Sequence, residues 1–247
     1  MTTPTLYSIA ALKPEDVIHT GAKPVRAFCN NMNYYLVKHE KIGVSQLLNE
    51  YIAASFLRIW ELNTPCFAFV TIKTEHIPLG LHEDVQPHFF KKPCFGTRYE
   101  RNWGEVDKVA EKMAFQQKHL FTQKLGLLKI ALFDLWVANE DRNANNYNLL
   151  LASEAQYRFI PIDHQAIFNY DNLENELMPL TEPDSLLSSP MVDYLFSKKE
   201  LNQASAALQL DYFECVQSCG EQLENILSGI PKELENRPFQ NIKFIAQ

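Results

Sequence analysis

The sequence predicts an α+β protein with a small β-rich lobe first, then a connection, then a larger, mainly helical lobe. Three observations carry this. Short β-prone runs dominate the chain up to Ile72, long apolar stretches of helical spacing take over from Val106, and a segment rich in proline and aromatic residues without a clear period lies between them. With 247 residues, 46% of them hydrophobic, the chain can form one large domain or two modest lobes around a real core.

The elements follow in order. "KPVRAFCNNMNYYLV", Lys23 to Val37, sets two β-prone runs around the turn signal "NNMN" and predicts a hairpin. "VSQLLNEYIAASFLRIWEL", Val44 to Leu62, has apolar residues at Leu47, Leu48, Tyr51, Ile52, Phe56, Ile59 and Trp60, a helical spacing with Ser45 as the candidate N-cap. "CFAFVTI", Cys66 to Ile72, is a continuous apolar run that reads as a buried strand. The segment "PLGLHEDVQPHFFKKPCFGTRYERNWGEVDK" reads as an irregular connection.

"HLFTQKLGLLKIALFDLWVAN" places Leu125, Leu128, Leu132, Leu135 and Trp136 on one stripe of a buried helix ending near Ala138 or Asn139. "YNLLLA" and "YRFIPID" flank the polar "SEAQ" as a second hairpin, and Glu182 to Gln247 reads as several amphipathic helices punctuated by Pro190 and Pro231. The expected boundary is a single domain with a first lobe over 1–77 and a second over 78–247, the polar loop after the long helix facing the cleft between them.

The formal net charge of −7 leaves no global basic surface, which argues against sequence-independent nucleic-acid binding. No window approaches the roughly 18 apolar residues of a spanning helix, and the N-terminal stretch lacks the signature of a secretory signal, so a cytoplasmic protein without membrane association is expected. Cys29, Cys66, Cys94, Cys215 and Cys219 form no CxxC pairs, which indicates neither a disulfide framework nor a zinc knuckle. His82, His88 and His164 likewise lack metal-ligand spacing.

The chemistry concentrates in "NEDRNANN". Asp and Asn compete with the backbone for hydrogen bonds and are poor residues inside regular elements, so their crowding beside apolar segments needs a cause. Asp141 opens the loop, Asn146 follows five residues later, and Asp163 stands alone in the apolar "FIPIDHQAIF". An acid that accepts a hydroxyl proton, with an amide oxygen and a second carboxylate that hold magnesium against phosphates, are the parts that phosphoryl transfer from a nucleotide needs. Lys38 ends an apolar alternating strand where an ammonium can reach phosphates. Glu50 lies on the following helix, spaced to turn back and orient it.

"YYLVKH", "LLNEYIAASFL", "FGTRY", "ANEDRNANNYNLLL" and "IPIDHQAIF", in this order and spacing, resemble the HipA-like kinase family, small bacterial relatives of the toxin kinase HipA. A more distant likeness is to the lipid kinases that phosphorylate phosphatidylinositol. The resemblance implies a bilobal protein-kinase-like fold that binds ATP and Mg2+ and transfers the γ-phosphate to a hydroxyl, taken first as that of a protein serine or threonine, with a small molecule and then an inositol lipid as the other acceptors. Asp141 then matches the catalytic base, Asn146 and Asp163 the metal ligands, Lys38 the phosphate-binding lysine and Glu50 its partner. The expected partners are ATP, a hydroxyl acceptor and a regulatory protein. "DHQ" replaces a DFG-type motif, and Asn143 stands where HipA itself and many lipid kinases have histidine.

Other readings stand beside these. The polar loop alone could be a capped helix end with an Asx-rich turn. The chain could also be a catalytically inactive pseudokinase module that binds nucleotide or a partner. Arg142 reads as structural, paired with a carboxylate behind the loop. Arg98 reads either as a ligand for phosphate or as a structural arginine, and Trp60 and Trp136 as core.

Overall fold

Between Thr5 and Arg98 the apolar runs pair into one sheet in the computed structural model, which describes residues 3–153, 156–171 and 177–234. The described chain divides into two compact units, the first comprising residues 3–52, 65–100 and 225–234 and the second residues 53–64 and 101–224. The architecture is mixed α+β, with an N-terminal sheet followed by mostly helical segments.

The first unit is built on β1 (Thr5–Tyr7), β2 (Val25–Phe28), β3 (Tyr34–Lys38), β4 (Phe67–Thr71) and β5 (Cys94–Arg98), in the order β1-β4-β5-β3-β2. The hairpin of β2 and β3 pairs Val25 with Val37 and Phe28 with Tyr34, and its turn places Met32 at φ 62. Ile9 N–H donates to Phe28 O at 2.9 Å and Asn30 N–H to Tyr7 O at 3.0 Å beside a Ser8–Cys29 bridge, so the two outermost strands meet. Edges that would otherwise stand open as templates for another chain are thereby paired. One face buries Val25, Ala27, Val37, Ala68, Val70 and Cys94.

β5 is a correction to the sequence reading, which took this segment as an irregular connection: it runs antiparallel to both β3 and β4 in the middle of the sheet. Gly96 explains the weak signal. A Cβ there would lie 2.7 Å from Val70 Cγ2, so the pleat needs a residue of low strand propensity. Helix α1 (Val44–Ile59) begins directly after Gly43, whose φ of 95 suits glycine, and Ser45 therefore sits inside the first turn rather than at the cap. Tyr51 of α1 packs 4.9 Å from Phe69 and donates its hydroxyl to Ile226 O at 2.8 Å, tying the 225–234 segment to this unit.

His39 is fully buried between Phe89 and Phe90, with Nε2 2.9 Å from Lys23 O. A carbonyl only accepts, so Nε2 carries a proton. Burial pushes the His39 pKa below its ordinary value, opposed by the bond to Lys23 and reinforced by the charge of Lys41. Its folded pKa being depressed, stability is full above the unfolded value of about 6.5 and declines as pH falls from there through the folded pKa. Melting curves are therefore expected to show a drop from pH 7 to 5.5 that shrinks in His39→Gln; an equal drop in the variant would clear His39.

In the second unit, α2 (Lys108–Gln116) is capped by Asp107, which accepts from Val109 N–H at 2.8 Å and Ala110 N–H at 3.1 Å. β6 (Trp103–Glu105), β7 (Leu149–Ser153) and β8 (Tyr157–Pro161) form an antiparallel sheet in that order. The turn of the β7–β8 hairpin includes residues 154–155, which lie outside the described residues. Trp60 is fully buried, stacked 5.4 Å from Trp136 and edge-on to Phe133.

Helix α3 (Leu125–Trp136) stops earlier than its sequence suggests, and its deepest face carries Leu127, Ile130, Ala131, Phe133 and Asp134, whereas Leu125 on the expected stripe is exposed. A helix with so little amphipathic contrast gives no reliable face. A single left-handed turn, α4 (Ile167–Asp171), is followed by α5 (Pro190–Leu195), with Pro190 at its first turn, and by α6 (Lys198–Leu227). The stretch expected to form several helices holds α5 and the 30-residue α6 among the described residues, and its part beyond 234 lies outside them. No described helix is long and apolar enough to cross a membrane. The five cysteines are free thiols, and burial pushes Cys219 up to about 12.

Candidate active site

The polar loop begins where α3 ends. Val137 N–H closes the helix on Phe133 O at 3.0 Å, Ala138 turns the chain with φ 48, and Asn139 folds back so that its N–H meets Asp134 O and its Nδ2 meets Asp134 Oδ1, both at 2.9 Å. The loop is then fastened from below by Arg142, which is fully buried. Its Nη1 donates to the Asp134 carboxylate, its Nη2 to Ile162 O, and its Nε to Asn148 O at 3.3 Å. Nη2 also lies 3.0 Å from His164 Nε2. A guanidinium has donors only, so that nitrogen accepts and His164 is the neutral tautomer protonated on Nδ1. Burial pushes the Asp134 carboxyl up, while Arg142 and Asn139 pull it down.

Above this staple Asp141 is half-buried, and both of its carboxylate oxygens are held. Asn146 Nδ2 donates to Oδ1 at 2.9 Å, Asn148 Nδ2 donates to Oδ2 at 3.1 Å, and both amides also reach the Asp141 carbonyl at 2.9 Å. Because every partner atom on Asp141 is an acceptor, the network itself orients the two amides. Asn143 shapes the turn between them: its Oδ1 accepts from Asn145 N–H at 2.9 Å and from Asn146 N–H at 3.2 Å.

Asp163 follows β8 with a left-handed φ of 57, and its chain neighbours are fixed to the same loop. Ile162 N–H donates to Asn148 O at 3.0 Å, and Ile162 O and His164 both meet Arg142. Asp141 and Asn146 are thus in direct contact, while Asp163 lies between two residues tied to Arg142. In the first unit Lys38 and Glu50 form an ion pair, with their side chains 14% and 4% exposed. His164 is 3% exposed and belongs to the layer behind. Arg98 pairs with Glu100 at 2.5 Å on the surface.

Sequence reasoning missed Asp134, Asn139 and Asn148. A lone acid in "KIALFDLWV" was the available signal for Asp134, since an apolar helix keeps a buried carboxylate only beside a cation or a set of donors. Among the described residues no group of three or more His, Cys, Asp or Glu side chains could hold a metal ion.

A family model described as HipA-like kinase matches residues 16–243. A search of curated proteins finds no match. Among solved structures the chain is similar to one titled as the crystal structure of a Helicobacter pylori proinflammatory kinase, CtkA. The match has 14% sequence identity and a TM-score of 0.49, and it covers 98% of this chain and 93% of that one. The family match spans most of the sequence, and it takes in the Lys38–Glu50 pair, the polar loop and Asp163 together: the chain belongs to the HipA-like kinase family.

Proposed function

We propose that the protein is an ATP- and magnesium-dependent kinase of protein serine or threonine, with the small β-rich and larger helical lobes of a kinase-like fold. The observation that carries the reading is the Asp141 carboxylate gripped by the Asn146 and Asn148 amides over the buried Arg142. A turn that needed only capping would not require a guanidinium sealed beneath it. Such fixing holds a base ready, so that no reorganisation is needed when the reaction occurs.

The residues fit magnesium. Asn146 turns its Nδ2 into Asp141, and no donor among the described residues occupies its Oδ1. Asn146 Oδ1 and the Asp163 carboxylate would hold the ion, which asks for hard oxygens and takes the rest of its shell from water and phosphate. When bound, it supplies neutralisation of phosphate charge. Lys38, paired with Glu50, would bind phosphate oxygens. Asp141 would take the proton of the acceptor hydroxyl, since each carboxylate oxygen retains a lone pair beyond the amide bond it accepts.

The test is nucleotide-dependent melting with labelled-phosphate transfer. ATP is expected to raise the melting temperature mainly with magnesium or manganese, about 2.7 kcal/mol of stabilisation at a hundredfold excess over Kd. In Asp163→Asn the metal dependence should vanish, because an amide is a far weaker magnesium ligand than a carboxylate. A variant that binds magnesium-ATP like the parent would make Asp163 only the end of a strand.

Lys38→Met keeps the packed stem and removes the charge. It is expected to weaken nucleotide binding while leaving the far-ultraviolet spectrum intact. Undiminished nucleotide affinity would take Lys38 out of the site.

A further inference from the structure

Beside Asp141 the second unit has a cavity of about 450 Å³, within the range of small-ligand pockets. One wall is the polar loop at Glu140, Asn143 and Asn145, and the other is the segment Met178 to Asp184. The walls are joined by Asn169, only 9% exposed, whose Nδ2 donates to Glu140 Oε1 at 2.6 Å and to Met178 O at 3.2 Å and whose Oδ1 accepts from Met178 N–H at 2.8 Å. Asn169 sits in a run of left-handed residues, Phe168 to Tyr170, and Phe168 N–H meets Val137 O at 2.7 Å. Burial, and then the charges of Asp141 and Glu140, push the Tyr170 phenol up from its ordinary value.

Several acids of this chain have cations: Asp16 has Arg26, Glu40 has Lys92, Glu111 has Lys108 and Glu200 has Lys124. Glu140, Asp141 and Asp184 pair with no cation among the described residues, and no lysine or arginine lines the cavity. Asn169 and Thr181 hold Glu140 and Asp184 in place without neutralising them. If Asp141 receives the acceptor hydroxyl, whatever flanks that hydroxyl enters this acidic space.

We propose that this cavity seats the flank of the acceptor, and that the acceptor is a serine or threonine bordered by lysine or arginine, with Glu140 and Asp184 taking the cation. The assignment rests on the kinase reading above. The acceptor oxygen forms its bond to the γ-phosphorus as the bond from that phosphorus to the bridging oxygen of ATP breaks. ADP leaves with the electron pair, and the hydroxyl proton passes to Asp141. A cationic flank lowers the cost of bringing an acceptor to a site that is already negative.

The test uses fluorescent serine peptides flanked by arginine, alanine or glutamate, titrated into the full chain with magnesium and a non-hydrolysable ATP analogue. The arginine peptide is expected to bind about tenfold tighter than the alanine one, as paired charged hydrogen bonds provide. In Glu140→Gln combined with Asp184→Asn, whose amides can still accept from Asn169 and Thr181, that preference should disappear at an unchanged melting temperature. Equal binding of the three peptides by the parent, or a preference kept by the double variant, overturns the proposal. Labelled-phosphate transfer is read in parallel. A basic preference without any transfer supports the cavity assignment and overturns the kinase reading instead.

Discussion

Asp141→Asn is expected to keep magnesium-ATP affinity and to lower phosphoryl transfer by about 10²- to 10⁴-fold, roughly 3 to 5 kcal/mol of barrier. The replacement is nearly isosteric, and the surroundings show which bonds survive. Its remaining oxygen can accept from Asn146 Nδ2, so the Asn146 amide keeps its anchor. Its new NH2 faces Asn148 Nδ2, a donor against a donor, which costs about 1 kcal/mol of local stability. What disappears is the carboxylate that the proposed mechanism uses to take the hydroxyl proton. Calorimetric titration of nucleotide beside transfer rates separates these effects. A variant transferring at the parent rate would move the base elsewhere and leave "NEDRNANN" as a turn.

Arg142→Ala should cost the fold about 3 to 5 kcal/mol, a large share of the 5 to 15 kcal/mol by which domains are ordinarily stable. The reason is the company Arg142 keeps. Removing it leaves Asp134 fully buried without its cation and takes the guanidinium donor from Ile162 O, while Asn148 O keeps only the Ile162 N–H. Denaturant unfolding at constant m is the measurement. Arg142→Lys should recover only part of the loss, because one ammonium cannot span the aligned acceptors of a planar fork. A loss below about 1 kcal/mol for alanine, in the range of exposed pairs, would mean that the burial of Arg142 contributes little to holding the loop.

The difference between what was legible in the sequence and what was not has physical causes. The β2–β3 hairpin announced itself through alternation and "NNMN". Asp141, Asn146 and Asp163 were legible because short polar side chains are conspicuous beside apolar runs, and Arg142 because a cation in such a place needs a buried carboxylate. The identity of that carboxylate was hidden, since α3 is apolar on every side and spacing cannot say which face is deepest. β5 was hidden by the glycine its packing requires. The left-handed turn at Phe168 to Tyr170 has no local signal at all: two aromatic residues and an asparagine adopt a conformation that only their tertiary hydrogen bonds make affordable. The acidic cavity depends on that turn, and so it too could emerge only from the fold.

The central claim is that the Asp141 loop transfers phosphate from magnesium-ATP. It is tested most directly by incubating the purified chain with γ-labelled ATP, with and without magnesium, alone, with cell lysate and with the arginine-flanked serine peptide, and with Asp141→Asn in parallel. The account predicts label on a hydroxyl acceptor that requires magnesium and is lost in the variant. A parent that binds magnesium-ATP yet labels nothing under any of these conditions, and is indistinguishable from Asp141→Asn, would contradict it and leave a nucleotide-binding module in place of an enzyme.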